Sequence, residues 1–270
     1  MRLAWSSAIA VVVSIVSSAS AEEPRPAYTP EAQQTRVGVE IDLLHTQYST
    51  TVTADLVAQV GVTRHVFLDA DVPMGIIVGP GLRAGLLGAP TFGAHYAGHF
   101  NRRTSGFVGI AVGIPIAGST VSQLSDEHGR WATGVRAWQD PYRFLPSTLP
   151  FVARAGLEVD LAPAFLRFEA SPGLLVFLRH LTGAAYVNMT ATAGVRARFG
   201  LEGGVSGLGM FVLSPAEDHA QMAIEPFIGY ASPEAPGLYV RYGLLAALDT
   251  PLGVGGQGIL THRLSIGAKL

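Results

Sequence analysis

The sequence predicts an all-β protein: a closed antiparallel transmembrane β-barrel of about twelve strands, made after a signal peptide is cleaved. Three observations predict this fold. The chain begins with an export signal, it is apolar and poor in charge, and its apolar residues recur at every second position over most of its length. Such alternation is typical of strands with one face in lipid and the other in a lumen.

The start of the chain has the pattern of a secretory signal peptide. Arg2 supplies a positive charge, residues 8–16 form a short apolar core, and a small-residue cleavage motif ends at Ala21. A retained membrane anchor is the alternative, but the apolar stretch is shorter than the ~18 residues that a spanning helix needs. We therefore expect a signal peptide over 1–21, a short periplasmic segment over 22–36 and a barrel over 37–270.

Composition excludes several other classes of protein. Charged residues make up 14% of the chain and hydrophobic residues 49%, so a soluble surface would be hard to cover. After the leader, no apolar run reaches the length of a membrane helix. The net charge of −2 leaves no basic footprint for nucleic acid, and the absence of cysteine excludes zinc–thiolate sites and cysteine nucleophiles.

Alternation predicts twelve strands. In the first, Val39 and Ile41 share one face, and Glu40 lies on the other. Pro172 interrupts the seventh and leaves its second half undecided. The predicted strands are 37–45, 52–62, 65–74, 91–100, 105–114, 151–161, 164–177, 186–199, 202–213, 222–231, 237–249 and 258–270.

The connections between these strands alternate between short and long, as in outer-membrane barrels with short periplasmic turns and longer outer loops. A soluble sandwich or lipocalin-like fold, the alternative, has no reason to keep that parity. Residues 75–90 and 115–150 form the longest loops. In the second, Trp131, Val135 and Trp138 would share a helical face. We expect this loop to pack on the barrel rim, with a constriction folded into the lumen as the alternative.

Two segments resemble a known group of proteins. Residues 61–73 (GVTRHVFLDADVP) and 88–100 (GAPTFGAHYAGHF) are similar to hairpins of twelve-stranded Gram-negative barrels of the phenol-degradation meta-pathway family and related transporter-type proteins. The last strand looks like an assembly signal, although it ends in Leu270 instead of the usual phenylalanine. The resemblance implies an outer-membrane location and passage of small or hydrophobic solutes.

Thirteen charged residues are expected to face the lumen. Unpaired charges are costly in a narrow space, so we expect either water in the lumen or a network of ion pairs across it. The tight turn at Ala162-Pro163 would place Glu158 opposite Arg167. An acid-rich wall facing a base-rich wall could orient a charged solute; structural packing of the lumen is the alternative. The thirteen are Glu40, Asp42, Asp55, Asp69, Asp71, Arg154, Glu158, Arg167, Glu169, Arg196, Arg198, Arg241 and Arg263.

Other chemistry finds little support in the sequence. His95 and His99 are four apart on one strand, about 13 Å, too far for one metal ion. Ser206 lacks the glycine two residues later that a nucleophile elbow requires. We therefore predict no enzyme activity, cofactor, metal site or nucleic-acid partner.

The predicted function is a narrow channel or passive transporter for small or hydrophobic solutes in the bacterial outer membrane. Its expected partners are membrane lipid, the barrel-assembly and periplasmic chaperone machinery, and a small solute. The alternative is a non-conducting structural or adhesive barrel that presents its extracellular loops.

Overall fold

The fold is known from a computed structural model, which describes residues 31–45, 49–79, 82–119, 140–179, 181–214, 220–234, 236–248 and 260–270. The predicted signal peptide and the predicted helical face of Trp131, Val135 and Trp138 lie outside these ranges. Among the described residues, no helix is long and apolar enough to cross a membrane.

The described residues form one short 3-10 helix, Glu31–Gln33, and fourteen strands in a single antiparallel sheet. The strands are β1 (Arg36–His45), β2 (Thr50–Gly61), β3 (Val66–Gly79), β4 (Leu82–Leu87), β5 (Thr91–His99), β6 (Thr104–Gly113), β7 (Gly118–Ser119), β8 (Thr148–Leu161), β9 (Ala164–Phe177), β10 (Thr182–Arg196), β11 (Leu201–Val212), β12 (Ala220–Ala231), β13 (Gly237–Ala247) and β14 (Leu260–Lys269).

Twelve of these strands, all except β4 and β7, close into a ring. The ring closes because β1 pairs with β2 on one side and with β14 on the other, where Arg36 lies opposite Lys269. Every strand in the ring therefore has two neighbours, and no edge is left without backbone partners. The predicted fold of a twelve-stranded closed barrel is confirmed, and each ring strand corresponds to one predicted strand.

Side chains sort by alternation into an apolar exterior and a polar interior. On the outside, Ile110 is 72% exposed and Val195 58% exposed, as a lipid-facing surface requires. On the inside, Thr53 and Asp55 are fully buried. These four residues lie on the faces that the alternation in the sequence predicted for them.

The predicted loop 75–90 is instead largely a hairpin, and this part of the prediction was wrong. β3 continues beyond the pairing with β5 to Gly79, and β4 folds back along it. The hairpin is held by buried apolar contacts among Ile77, Leu86 and Phe144. Alternation does not reveal β4, because this strand has only six residues and contains a glycine and an arginine that interrupt the apolar pattern.

Four prolines, at positions 73, 150, 172 and 226, lie inside strands, and three of them fall at gaps in a hydrogen-bonded ladder. β9 runs through Pro172 to Phe177, and its pairing with β8 is interrupted beside that proline. The pairing of β12 with β13 is interrupted beside Pro226. Pro73 lies where the partner of β3 changes from β5 to β4. A proline without an N–H group is tolerated at such positions.

The barrel has two different ends. At one end the strands are joined by the short turns 62–65, 100–103, 162–163, 197–200 and 232–236, and we call this the short-turn end. At the opposite end, which we call the long-loop end, the connections 46–49 and 178–181 have four residues each, and the other four, between β3 and β5, β6 and β8, β11 and β12, and β13 and β14, are longer. The predicted alternation of short and long connections therefore holds for four of the six connections at the long-loop end.

Candidate functional site

The barrel encloses a cavity of about 410 Å³ that is lined by charged side chains from most of the strands. Polar lining of this kind fits an aqueous interior better than a dry core. Ten of the thirteen predicted lumen charges line the cavity: Glu40, Asp42, Asp69, Asp71, Arg154, Glu158, Arg167, Glu169, Arg241 and Arg263.

The other three predicted residues lie elsewhere. Asp55 faces inward but is fully buried against an arginine from a loop. Arg196 faces inward and forms ion pairs with Glu158 and Glu202. Arg198 is exposed in the turn after β10, because that strand ends at Arg196 instead of continuing to residue 199. Its assignment to the lumen was therefore wrong.

At the long-loop end, the charged network centres on Arg143, which the sequence did not indicate. Its guanidinium lies 3.0 Å from carboxylate oxygens of Asp55 and Asp71, and 2.8 Å from Asp140. Arg143 itself is only 4% exposed. Thr91 completes the group by donating a hydrogen bond to Asp71. One loop cation is thus shared by two acids of the barrel wall and one acid of its own loop.

The segment 140–147, which carries Arg143, enters the lumen and does not pack on the rim as we expected. Tyr142 is fully buried and packs against Val152, Leu175 and Tyr186 of the wall. Burial alone would lower the pKa of the Arg143 guanidinium, but the neighbouring carboxylates raise it well above its usual value. The loop is therefore fastened inside the barrel by packing and by a permanently charged side chain.

A second network joins four neighbouring strands of the wall. Arg263 of β14 donates to Asp42 of β1 at 2.9 Å and to Glu225 of β12 at 2.8 Å. Arg241 of β13 reaches the other oxygen of Glu225 at 3.2 Å. Arg263 lies directly opposite Asp42 in the strand pairing. Asp42 is thus neutralised by an adjacent strand, whereas Asp55 and Asp71 are neutralised by the loop.

A third network lies toward the short-turn end. Glu158 and Arg167 are directly opposite each other, as predicted, and Arg167 donates to the Glu158 carboxylate at 3.0 and 2.8 Å. Arg196 joins this pair to Glu202. The guanidinium of Arg196 also lies 4.4 Å from the centre of the Phe165 ring, within range of a cation–π contact.

Residues 31–35, which we call the strap, reach across the lumen at this same end. The Glu31 carboxylate contacts Arg36 of β1 and lies 3.0 Å from Arg167 of β9. These two strands are six places apart in the ring of twelve, so the arginines come from opposite walls. We expected residues 22–36 to be a periplasmic segment; the described part of that segment lies against the lumen wall.

Backbone groups of the strap are also bound to the wall. The Gln59 side-chain amide donates to the carbonyls of Glu31 and Gln34 at 3.0 and 2.7 Å. The Nε2 atom of His95 lies 2.7 Å from the carbonyl oxygen of Ala32. The amide of Gly61 donates to the Thr35 hydroxyl at 3.0 Å. The strap is thus held by polar contacts to β2 and β5 and by an ion pair to β9.

The residues considered for metal binding and catalysis have structural partners. His95 is bonded to Asp69 at 2.6 Å and stacks on Phe67, while His99 is exposed. Within the described part of the chain, no group of three or more suitable side chains could hold a metal ion. Ser206 is buried and bonded to Thr192 and Arg241, neither of which is a general base. The expectation that the chain is not an enzyme stays a prediction.

The site residues that sequence analysis did not identify have little in the surrounding sequence pattern to reveal them. Arg143 lies among prolines in a long loop, so nothing in the local pattern placed it in the lumen. Glu31 precedes the first alternating strand, where periodicity gives no information. Glu225 lies on the inward face that alternation gives to the strand 222–231, and a complete count of inward charges would have found it. Glu202 begins a glycine-rich strand in which alternation assigns no face.

A closed twelve-stranded barrel with an apolar exterior and a charged interior is the architecture of bacterial outer-membrane β-barrel proteins. Among solved structures, the chain is similar to the COG4313 outer membrane channel from Pseudomonas putida F1, with a TM-score of 0.64 and 10% sequence identity over 93% of this chain and 100% of that one. It is also similar to the NanC porin, with a TM-score of 0.50 and 9% identity over 87% of this chain and 100% of that one.

Sequence comparison adds no relative. No family model matches the chain, and no curated protein matches it. At such low sequence identities, the structural likeness establishes the fold and leaves the solute to be inferred from the lumen itself.

Proposed function

We propose that the protein is a passive channel of the bacterial outer membrane for small polar solutes. The observation that carries the proposal is the cavity of about 410 Å³ inside a closed barrel, lined by arginine, aspartate and glutamate side chains. The apolar exterior supports insertion in a bilayer, and ring closure gives each of the twelve strands a hydrogen-bonded neighbour on both sides. The short-turn end would then face the periplasm.

A polar solute fits this lumen better than a hydrophobic one. Entry of an apolar molecule would remove water from charged groups without replacing their hydrogen bonds, which is costly. The cavity instead offers carboxylates and guanidinium groups at several levels, including Asp42, Glu158 and Arg263. The charged lining therefore favours small hydrophilic solutes over the hydrophobic ones that the resemblance suggested.

Refolded protein in planar bilayers and in liposomes tests the proposal. We expect stepwise single-channel currents, and we expect liposomes to swell in isotonic sugar faster than protein-free liposomes do. Swelling should slow as the size of the sugar increases. A correctly folded barrel, recognised by its heat-modifiable migration on a gel, that gave neither current nor swelling would contradict the channel.

That contrary result would favour a non-conducting barrel. The observation on its side is that two elements enter the lumen: the segment 140–147 at the long-loop end and the strap at the short-turn end. An Arg143→Ala variant separates the two functions. If the wild-type barrel conducts, the variant should carry more current, since the anchor of the loop is lost; if both are silent, the barrel is a scaffold.

A further inference from the structure

The Glu31 carboxylate is held in the lumen like a bound ligand. It belongs to the strap and not to the wall, yet Arg36 and Arg167 both contact it. The glutamate side chain is 43% exposed, whereas the arginine side chains are 22% and 15% exposed. The two arginines are therefore set into opposite walls of the barrel, and the carboxylate between them stays accessible from the cavity.

The site would persist without Glu31. Arg167 keeps its two hydrogen bonds to Glu158, which fix the orientation of its guanidinium. The Nη1 atom that reaches Glu31 makes neither of those bonds, so it stays aimed at the same position. A guanidinium that a second carboxylate already orients loses little further freedom when it binds another anion.

The charge balance favours an anion at this position. The ion-paired cluster contains the arginines at 36, 167 and 196 and the glutamates at 31, 158 and 202. With Glu31 in place, the cluster has three positive and three negative groups. When Glu31 moves away, the cluster holds three positive and two negative groups, so its net charge favours an incoming anion.

We propose that Arg36 and Arg167 form a binding site for the carboxylate group of small acidic solutes, and that Glu31 occupies this site when no solute is present. The proposal rests on the proposed channel function and names the class of solute for that lumen. A solute carboxylate and Glu31 compete for the same guanidinium groups, so binding of the solute displaces the strap. The carboxylate geometry suits the planar donors of arginine.

Liposome swelling with a size-matched pair of solutes tests the preference. Glucose and glucuronate differ mainly in one carboxylate, so the ratio of their swelling rates reports on the charge of the solute. We expect a Glu31→Ala variant to raise the glucuronate-to-glucose ratio about threefold, as loss of one partly exposed ion-pair competitor implies. Adding Arg167→Gln to that variant should return the ratio to the wild-type value or below it.

A Glu202→Ala variant is the matched control. It removes one negative charge from the same cluster, but Glu202 contacts Arg196 and not the two arginines that bind Glu31. A specific site predicts little change in the ratio for this variant. An equal rise for Glu202→Ala and Glu31→Ala would overturn the proposal and leave only a general effect of lumen charge.

Displacement of the strap can be measured without any conduction. The chain contains no cysteine, so Gln33→Cys provides a single labelling site on the strap. We expect glucuronate to speed the reaction of this cysteine with a maleimide in the otherwise wild-type barrel, and glucose to leave it unchanged. Equal labelling rates in both solutes would overturn the carboxylate site, whereas failure of glucose to enter liposomes would count against the channel.

Discussion

Ion pairs hold an inserted segment at each end of the lumen, but the two segments are buried to different degrees. At the long-loop end, Arg143 is 4% exposed and Asp55 is completely buried, and the neighbouring Tyr142 and Phe144 are buried as well. At the short-turn end, Glu31 binds its arginines from a short, partly exposed strap that is held by polar contacts. The first arrangement resembles a protein core, and the second resembles a protein–ligand contact.

This difference shows that the number of ion pairs alone does not determine how firmly a segment is held in a barrel lumen. A buried charge that loses its partner costs several kcal/mol, whereas a partly exposed pair contributes about 0.2–1 kcal/mol and is weakened by salt. We therefore expect the segment 140–147 to remain in place during function and the strap to be the part that moves. Four predictions test that contrast.

The largest effect is expected for Arg143→Ala. The substitution leaves the buried carboxylate of Asp55 and that of Asp71 without their shared cation, a loss of about 3–5 kcal/mol in stability. Urea unfolding in lipid vesicles, followed by tryptophan fluorescence, should show this decrease. Arg143→Lys is the control, since it keeps the charge but cannot reach three carboxylates at once, and we expect an intermediate value. A stability equal to that of the wild type would remove the distinction between the two ends.

A smaller loss is expected for Arg167→Gln at the short-turn end. This change removes two hydrogen bonds to Glu158 and the contact with Glu31, but the site is partly exposed to the cavity. We expect about 1–2 kcal/mol in the same unfolding measurement, because water can replace part of what is lost. A loss as large as that of Arg143→Ala would show that the short-turn end is as firmly built as the long-loop end.

Higher salt should weaken the contacts of the strap at the short-turn end and leave the segment 140–147 in place. Raising the ionic strength from about 0.1 M to 1 M shortens the screening length from about 10 Å to 3 Å, which weakens accessible pairs most. A Gln33→Cys variant should react with maleimide faster at high salt. A Phe144→Cys variant, at the buried loop, should react slowly at both salt concentrations. Faster labelling of both cysteines would contradict a fixed loop.

The smallest effect is expected for Arg198→Ala. This arginine is exposed in a turn, and the structure does not place it in the lumen. Its removal should change neither conductance nor the unfolding midpoint beyond error. A change in ion selectivity would show instead that the side chain reaches the lumen, as the sequence alone had suggested.

The strands of this protein could be predicted well from sequence because a barrel in lipid imposes one simple rule on every strand. Exterior residues such as Ile110 and Val195 must be apolar, so the period of two is visible without an alignment. The rule fails where a strand leaves the ring. β4 pairs with β3 and β7, outside the ring of twelve, and it carries no alternation that distinguishes it from a loop.

The candidate site could be predicted only in part, for a related reason. Alternation identified Glu158 and Arg167 and even their pairing, because both belong to ring strands joined by a tight turn. It could not find Arg143 or Glu31, because each enters the lumen on a segment that is not a strand of the ring. Their positions depend on tertiary packing and on charges that are distant in sequence.

The seam between β1 and β14 has a consequence for how the molecule is assembled. Arg36 and Lys269, which lie near opposite ends of the chain, become neighbours in this seam, and the amide of Leu270 donates to the carbonyl of Thr35. The ring can therefore be completed only after the final strand has arrived. Until then, β1 and β14 each have one edge whose backbone N–H and C=O groups lack partners and can pair with another strand. We therefore expect an assembly factor or chaperone to shield those two edges until they meet.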